Sequence, residues 1–392
     1  MSSVVPEGWS KNTINECCEI LDSQRVPINS EERAKRKGNY PYYGANGVQG
    51  YIDDYIFDGD AILLAEDGGN FEQYADRPIA QWVTGKFWVN NHAHILRAKE
   101  NASDKWIFYS LVHKNILKNI NGGTRAKLNQ SDLKEIEILL PPISEQKRII
   151  SILTSVDEVI ESTQKQIDKL QDLKKATMNE LLTKGIGHTE FKDSELGRIP
   201  KSWEVAQIGD VTSFSQGIQV DVEQHHETKD DSKVRFVRIS DYTKLDETPR
   251  YIDSALALKG LVEKDDVVMI RYGEAGRVCR GIVGAIANNL FTIRPSPRLL
   301  KDYLYYYCAS EEIRSKVEAL SASSAMPAVS FSSLRTLKLK IPPVDEQDLI
   351  VSAISSLDGS IEIHSQKLSQ TQSLKKSLMQ DLLTGKVRVT VN

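Results

Sequence analysis

The residues best suited to chemistry in this sequence are cationic and hydrogen-bonding side chains in short glycine-containing segments. Arg, Lys, Asn and Gln can offer paired hydrogen bonds to nucleic-acid base edges, and Lys, Arg, Ser, Thr and Tyr can contact phosphates. The segment "ERAKRKGNYPYYGANG" combines both types with glycines that permit tight turns. A solvated charged loop has the same composition, so composition alone leaves both interpretations open. Its candidates are Arg33, Lys35, Arg36, Lys37, Tyr42, Tyr43 and Asn46.

A second segment, "NGGTRAKLN", places Arg125 and Lys127 after paired glycines. The corresponding place later in the chain reads "SASSAMPAVS", which offers Ser323 and Ser324 instead. This loop therefore either contacts a phosphate backbone through different side chains in the two places or is structural in both.

The later half of the chain has its own cationic segments, "SKVRFVRISDY" and "IRYGEAGRVCRG". The alternation in "VRFVR" could place arginines on one face of a strand. A salt-bridged sheet surface is the open alternative. The candidates are Lys233, Arg235, Arg238, Arg271, Tyr272, Arg277 and Arg280.

Catalytic and metal-binding patterns are weak. Both Pro-Pro pairs are flanked by aliphatic residues, so neither forms the Asn/Asp-Pro-Pro-aromatic loop that holds a flipped adenine. The sequence has neither a Walker-type loop nor a G-x-S-x-G elbow. His92 and His94 are two apart, as strand neighbours on one face would be, but no third ligand follows at a useful spacing. We predict no catalytic residue and no metal.

Composition indicates a soluble globular protein: 40% of the 392 residues are hydrophobic and 27% are charged. The start of the sequence lacks the basic and apolar parts of a secretory signal, which predicts a cytoplasmic protein without membrane contact. The four cysteines form no C-x-x-C pair and are predicted to be buried free thiols. A net charge of −4 argues against a uniformly basic nucleic-acid binder.

The chain contains an internal repeat of two copies. Residues 141–183 and 342–384 are identical at 18 of 43 positions with a constant offset of 201. A fainter match joins "VPEGWSKNTINE" to "IPKSWEVAQIGD", each with proline and tryptophan three apart. Such self-similarity determines how the whole fold is read. Each copy has a variable segment followed by a well-preserved one.

The preserved segment predicts a long helix. Apolar residues recur at alternating spacings of three and four after each Pro-Pro pair, as in a heptad seam, and Gly185 and Gly385 mark the ends. A rod of roughly 60 Å follows from 1.5 Å per residue. Its apolar stripe needs a partner, and the copy in the same chain provides one, most simply in antiparallel orientation. The variable segments contain strand-like runs and short helices, so they are predicted to be α+β.

These motifs resemble the specificity (S) subunits of type I restriction–modification systems. The resemblance rests on the twin "PP-[IV]-x-EQ … LKK … M … LLT" helices, the "P-x-x-W" starts, and the phrases "YPYYGANGVQGYIDDYIFDG" and "GGTRAKLNQSDLKEIEILLPP". It covers essentially the full chain. It implies an α+β protein with two tandem α/β target-recognition domains, separated by two long antiparallel coiled-coil helices in a pseudo-twofold repeat.

The implied boundaries are 1–142 for the first target-recognition domain and 143–185 for the central helix. Residues 186–343 form the linker and second domain, 344–386 the distal helix and 387–392 a tail.

By this resemblance, each domain reads one half of a bipartite double-stranded DNA target, and the helix pair sets the spacer. The implied partners are two methyltransferase subunits and motor-nuclease subunits. The chain itself would be non-catalytic and bind no cofactor; S-adenosylmethionine, ATP and Mg²⁺ would belong to the partners. The resemblance favours DNA contact over solvated loops at the cationic segments. Because the chain is acidic, we expect tight DNA binding only with the methyltransferase partner present.

Two other hypotheses stay open. A coiled-coil scaffold whose heads bind proteins would also explain two unlike heads on duplicated helices. An enzyme with an unfamiliar site is a third possibility, which the missing motifs make less attractive.

Overall fold

The computed structural model describes residues 5–122, 126–244, 247–321 and 328–390. It divides into two compact units. The first unit contains Met1–Gln164 and Gln366–Asn392, and the second contains Lys165–Ser365. We call residues 5–142 the first head and residues 186–343 the second head. The division passes through both long helices, so each unit consists of one head and parts of both helices.

The first head is built on two four-stranded sheets and a two-stranded ribbon. Antiparallel pairing dominates, and β3 and β8 form a parallel pair. The sheet orders are β2-β9-β6-β7 and β4-β3-β8-β5, and β1 pairs with β10. Its strands are Ser10–Thr13 (β1), Cys18–Ile20 (β2), Tyr40–Gly44 (β3), Gly47–Ile52 (β4), Phe57–Asp58 (β5), Ala61–Ala65 (β6), Ala80–Val83 (β7), Lys86–Val89 (β8), Ala93–Ala98 (β9) and Glu137–Leu140 (β10). Its helices are Ile14–Cys17 (α1), Ser30–Lys35 (α2), Asp104–Val112 (α3) and Gln130–Lys134 (α4).

The second head repeats this topology after an added hairpin, β11-β12. Its sheets have the orders β14-β21-β18-β19 and β16-β15-β20-β17, and β13 pairs with β22. The strands β15 and β20 are parallel, as β3 and β8 are in the first head. Its strands are Phe191–Ser194 (β11), Gly197–Pro200 (β12), Glu204–Gln207 (β13), Thr212–Gln216 (β14), Lys233–Val237 (β15), Arg250–Asp253 (β16), Leu261–Val262 (β17), Val267–Ile270 (β18), Val278–Cys279 (β19), Gly284–Ile286 (β20), Leu290–Pro295 (β21) and Lys338–Ile341 (β22).

Two long helices follow the heads. They are Ile143–Lys184 (α5), with 42 residues, and Val344–Leu382 (α11), with 39. The second head also contains the helices Ile208–Val211 (α6), Ile239–Thr243 (α7), Lys301–Ala309 (α8), Glu311–Ser321 (α9) and Phe331–Thr336 (α10). Each long helix starts behind a Pro-Pro pair and stops before a glycine with positive φ, Gly185 at +67° and Gly385 at +69°. A left-handed residue of this kind closes a helix C-terminus at little cost when it is glycine.

In each unit the start of one long helix packs against the end of the other. In the first unit, Ile149 and Leu153 of α5 share a hydrophobic cluster with Met379 and Leu382 of α11. In the second unit, Leu182 of α5 joins Ile350 and Ile354 of α11. These pairings confirm the antiparallel helices and the α+β class. The four cysteines, as predicted, are buried and free.

The described helices include none that combines the length and apolar character needed to span a membrane.

Candidate nucleic-acid interface

The first head contains a polar cavity of about 510 Å³. Helix α2, the β3–β4 turn, strand β4 and the turn between β8 and β9 contribute to its walls. Its lining includes Arg33, the carboxamides of Asn46, Gln49 and Asn90, and the imidazole of His92. Sequence analysis selected Arg33 and Asn46 as DNA contacts and considered His92 only as a metal ligand. It did not select Gln49 or Asn90, which come together only through the pairing of β3 with β4 and β8.

Tyr42 requires a correction as a DNA contact. It is 1% exposed, and its hydroxyl donates to the Ile28 carbonyl at 3.1 Å and accepts from the Ile28 amide at 3.3 Å. A side chain this deep cannot stack on or donate to DNA. Instead, its ring supports the Arg33 guanidinium, whose central carbon lies 4.7 Å from the ring centroid. Tyr42 therefore forms the floor beneath Arg33.

The other candidates of this segment lie outside the cavity lining. Arg36 donates to Asp53 at 2.9 Å and lies over the ring of Trp88 at 5.0 Å. Tyr43 is half-buried, and burial raises the pKa of its hydroxyl. Lys35 and Lys37 are exposed.

The end of the second predicted segment, residues 126–129, is attached to the end of β6. Arg125 lies outside the described residues. Lys127 is half-exposed, and its Nζ lies 3.2 Å from Glu66 Oε1. The backbone continues this attachment, because the Leu128 amide donates to the Glu66 carbonyl at 2.7 Å.

A buried histidine, His94, also contacts the backbone of this segment. His94 is 1% exposed; its Nδ1 lies 2.6 Å from Asp22 Oδ2 and its Nε2 lies 2.9 Å from the Leu128 carbonyl. Both neighbours are acceptors, so both ring nitrogens must carry hydrogens for both contacts to be hydrogen bonds. Burial alone would raise the pKa of Asp22, but the hydrogen bond and charge of His94 outweigh it and lower that pKa.

The Asp22, Glu66 and His94 side chains lie close enough to resemble a metal-ligand set, with ligand atoms within 4.8 Å of one another. Arg25 already provides a cation there, since its NH1 lies 2.6 Å from Glu66 Oε2. The other histidine considered, His92, lies in the turn before β9 and contacts Asp67 at 2.6 Å. We therefore assign the cluster to holding the loop in place.

Five of the six candidate cations in the second head form ion pairs within that head. The side chain of Asp241 is fully buried and pairs with both Arg235 and Arg238. It also accepts from the Arg238 backbone amide at the start of α7, three residues earlier. The salt-bridged alternative thus describes this surface. The pairs are Lys233–Asp230, Arg235–Asp241, Arg238–Asp241, Arg277–Glu274 and Arg280–Asp302.

Arg271 differs from these five cations. No carboxylate within the described ranges pairs with it, and its guanidinium lies near the rings of Tyr272 at 5.1 Å and Phe331 at 5.7 Å. Its Nε is buried without a hydrogen-bond partner, as is Oδ1 of neighbouring Asn289. Buried polar atoms of this kind are rare in folded proteins, so Arg271 retains unused bonding capacity. Arg235 Nε is also buried without a partner, but its guanidinium pairs with Asp241.

Ser323 and Ser324 lie outside the described residues. The residues that follow them are attached as in the first head. The Val329 amide donates to the Arg271 carbonyl at 3.0 Å, where Leu128 donates to Glu66 in the first head. The residue whose carbonyl accepts this backbone hydrogen bond is therefore an acid, Glu66, in the first head and a cation, Arg271, in the second.

The preserved sequence of the two repeats forms matching attachments between head and helix. In the first unit, Trp9 Nε1 donates to Glu145 Oε2 at 3.0 Å; in the second, Trp203 Nε1 donates to Glu346 Oε2 at 2.8 Å. The "P-x-x-W" start and the "EQ" of each helix are thus the two ends of one contact. Their shared spacing was a signal that sequence analysis noted without assigning a contact.

The neighbouring glutamine makes a second attachment. Gln146 Nε2 donates to the Pro141 carbonyl at 2.9 Å and its Oε1 accepts from the Ser103 amide at 2.9 Å. Gln347 does the same with the Pro342 carbonyl at 2.9 Å and the Leu300 amide at 2.8 Å.

A Tyr–Asp–Lys group makes a third attachment. Its tyrosine belongs to the head, its aspartate to the first half of one long helix, and its lysine to the second half of the other. Both copies have a tyrosine–aspartate distance of 2.7 Å. The ion pairs measure 2.5 Å and 2.6 Å. The groups are Tyr109, Asp157 and Lys375 in the first unit, and Tyr306, Asp358 and Lys174 in the second.

The two glutamates differ in the cation that faces them. Arg388 donates to Glu145 through Nε at 2.8 Å and NH2 at 2.9 Å, and the pKa of Glu145 is lowered chiefly by Arg388 and then by Trp9. Glu346 instead faces His188 Nε2 at 2.7 Å. In the first unit, the tail after α11 provides the side chain that faces the glutamate. In the second unit, the linker after α5 provides it.

Comparison with known proteins gives the same assignment. The model of the type I restriction modification DNA specificity domain matches residues 6–172 and 200–372. A putative type I restriction enzyme specificity subunit, MjaX, from Methanocaldococcus jannaschii is 30% identical over 98% of this chain and 95% of its own. The MjaVIII specificity subunit of the same organism is 28% identical over 98% and 94%.

A solved structure supports the fold. The crystal structure of a type I restriction–modification S subunit from M. genitalium covers 100% of this chain and 98% of its own, with a TM-score of 0.64 at 15% identity. The chain therefore belongs to the family of type I restriction–modification DNA specificity subunits, as its repeated motifs predicted.

Proposed function

We propose that this chain reads a bipartite double-stranded DNA target, with each head contacting one half of the sequence. The observation that carries the proposal is the combination of matched attachments and unmatched surfaces. Three attachments recur in both units, whereas residues at equivalent positions of the two heads differ, as with Glu66 and Arg271. Symmetric dimers read palindromes because protein symmetry is mirrored in the DNA. Two unlike heads in one chain suit two unlike half-sites.

Within this proposal the chain is a non-catalytic specificity subunit. Two methyltransferase subunits and motor-nuclease subunits would be its partners, and S-adenosylmethionine, ATP and Mg²⁺ would belong to them. The long helices would dock the methyltransferases and set the length of the unread spacer. Exposed apolar side chains at matching repeat positions, Leu173 at 51% and Leu374 at 53%, support partner docking on the helices.

The charge distribution supports a partner-dependent DNA complex. The net charge is −4, and most candidate cations of the second head are paired with carboxylates of the same head. Phosphate neutralisation by free cations supplies most non-specific affinity. The isolated chain is therefore expected to bind duplex DNA weakly, and the methyltransferase partner is expected to supply the missing positive charge.

Two measurements test the proposal. Methylated adenines are mapped across the source genome with and without this gene, and loss of one bipartite motif is expected. Gel shifts then compare the purified chain with the chain plus its methyltransferase partner at several salt concentrations. A methylation pattern that does not depend on the gene contradicts DNA specificity, and equal affinity with and without the partner contradicts the partner requirement.

A further inference from the structure

We propose that the polar cavity of the first head receives the major-groove edge of an A·T base pair. Gln49 would read the base, and Asn90 would be a positioning residue that acts through Gln49. The inference rests on the proposed DNA-reading function and deepens it by naming a base pair and the residues that select it.

The cavity presents a carboxamide whose orientation is fixed by the protein. Gln49 is exposed on β4, and its Oε1 accepts a hydrogen bond from Asn90 Nδ2 at 3.1 Å. Asn90 is only 4% exposed, and its own Oδ1 accepts from the His92 backbone amide at 2.8 Å. The buried asparagine therefore has a single orientation, because exchanging its oxygen and nitrogen would break both bonds.

The other side of the Gln49 carboxamide is also constrained. A β-carbon at Gly44 would lie 2.2 Å from Gln49 Nε2, so the carboxamide lies directly against the backbone of β3. One lone pair of Gln49 Oε1 and the hydrogens of Nε2 are not used by the Asn90 bond. An acceptor and a donor held side by side match N6 and N7 of adenine, the pair that glutamine and asparagine read in the major groove.

The remaining polar groups of the lining suit adenine better than cytosine. Carboxylates are the usual acceptors for cytosine N4, and the carboxylate of the lining, Asp67, is already bonded to His92 at 2.6 Å. Asn46 donates through Nδ2 to the Gly68 carbonyl at 2.8 Å, which holds a second carboxamide at the rim. Arg33 has no carboxylate partner among the described side chains and could reach a phosphate beside the reading position.

The second head shows that this arrangement is specific to the first. Asn90 follows β8 and donates its backbone amide to the Tyr43 carbonyl at 3.0 Å; Ala287 follows β20 and donates to the Val237 carbonyl at 2.9 Å. The two residues therefore occupy equivalent positions in equivalent sheets. Alanine is compatible with this backbone, so the fold does not require asparagine here.

The experiment uses the complex of the full chain with its methyltransferase partner. It measures methylation of a DNA library randomised across both half-sites. The variants are Gln49→Ala, Asn90→Ala and Asn90→Asp, the last of which keeps the acceptor for His92 and removes the donor to Gln49. Lys35→Ala is the control, because Lys35 is exposed on the same segment but outside the cavity. Thermal unfolding of each variant is recorded alongside.

We expect Gln49→Ala to reduce the preference for A·T at one position of one half-site by about 5- to 150-fold, the worth of a bidentate base contact. Both Asn90 variants should weaken the preference at that same position by a smaller factor. The other half-site should keep its preference in all variants, and Lys35→Ala should weaken all sequences evenly.

Several results would overturn the inference. These are unchanged base preference in Gln49→Ala, a change at a G·C position, which would point to Arg33 as the reader, or a change in the Asn90 variants at a different position. Failure of the proposed function looks different, because the wild-type complex would then show no bipartite preference at all. Gln49 is exposed, so its substitution tests the inference even if an Asn90 variant unfolds.

Discussion

The pair formed by Glu145 and Arg388 makes a sharp prediction about how the first head is held. Glu145 is 3% exposed, and Arg388 reaches it from the tail after α11 with two hydrogen bonds of 2.8 and 2.9 Å. Arg388 also donates to the Glu7 carbonyl at 2.7 Å. Substitution of Arg388 by alanine leaves a buried carboxylate with Trp9 as its remaining side-chain donor.

The size of the effect follows from burial and exposure. Hydrogen bonds to charged groups contribute about 1.5–3 kcal/mol each, and breaking a buried ion pair costs about 3–5 kcal/mol. The Arg388 side chain is 44% exposed, so water replaces part of what it provides. We therefore expect the first unit to lose about 2 kcal/mol of unfolding free energy, which corresponds to roughly 4–8 °C in melting temperature for a unit of this size.

The pH dependence provides an independent check. Arg388 lowers the pKa of Glu145, so the stabilisation is present above the pKa of an unfolded glutamate and is lost as pH falls through the lower, folded value. The difference between Arg388→Ala and the wild type should therefore be full at pH 7. It should begin to shrink as the pH falls below about 4.3, the pKa of an unfolded glutamate, and disappear once the pH is below the lowered pKa of folded Glu145.

Hydrogen exchange measured by mass spectrometry can follow both units in one sample. Arg388→Ala should accelerate exchange in β10 and α3, while β22 and α8 in the second unit serve as the internal reference. His188→Ala is the matched control and should affect the second unit instead, because His188 faces Glu346. Equal effects on both units, or a double-mutant coupling between Glu145→Gln and Arg388→Ala of less than about 0.5 kcal/mol, would refute the reasoning.

Three further predictions concern the heads and the helices. Arg271→Ala should change or weaken recognition of one half-site by about 5- to 150-fold in methylation mapping and leave the other half-site unaltered, if its unpaired guanidinium contacts a base. His94→Phe introduces the residue type found at the equivalent position of β21, Phe291, and should accelerate exchange of the Leu128 amide by about 10-fold, because Leu128 loses the hydrogen bond from His94 Nε2 to its carbonyl. Adding one heptad to both long helices adds about 10.5 Å of rod, so the unread spacer should lengthen by about three base pairs, and an unchanged spacer would contradict the spacing role.

The sequence predicted the long helices well because their signals are local. Heptad spacing, a Pro-Pro start and a glycine stop all lie within one segment, and tertiary packing agreed with each of them. The equal spacing of proline and tryptophan in both copies also marked a real contact, between Trp9 and Glu145 and between Trp203 and Glu346. Its partner could not be named in advance, because indole and carboxylate are separated by more than a hundred residues.

The cavity of the first head could not be predicted for the same reason. Gln49 and Asn90 meet because β3 pairs with β4 on one side and, in parallel, with β8 on the other. Neither residue belongs to a cationic motif. In the second head the local signal existed but was not used: Asp241 follows Arg238 by three residues, the spacing at which a helix-start carboxylate captures its neighbour. Selection by residue type alone therefore chose, as DNA contacts, arginines whose charges are already paired with Asp241.

Under the proposed function, attachment and recognition use different residues, which would account for preserved long helices and diverging heads. Trp9, Gln146 and Tyr109 hold the base of the first head through bonds that involve no residue of the cavity wall. If the cavity reads DNA as proposed, substitutions at Gln49 or Asn90 would change what the head reads without altering the contacts that fix it to the helices. The cation that faces each helix-start glutamate differs, Arg388 for Glu145 and His188 for Glu346, whereas the tryptophan bond to that glutamate recurs in both units. Sequence identity between the copies therefore concentrates where the head is held and declines where it would touch DNA.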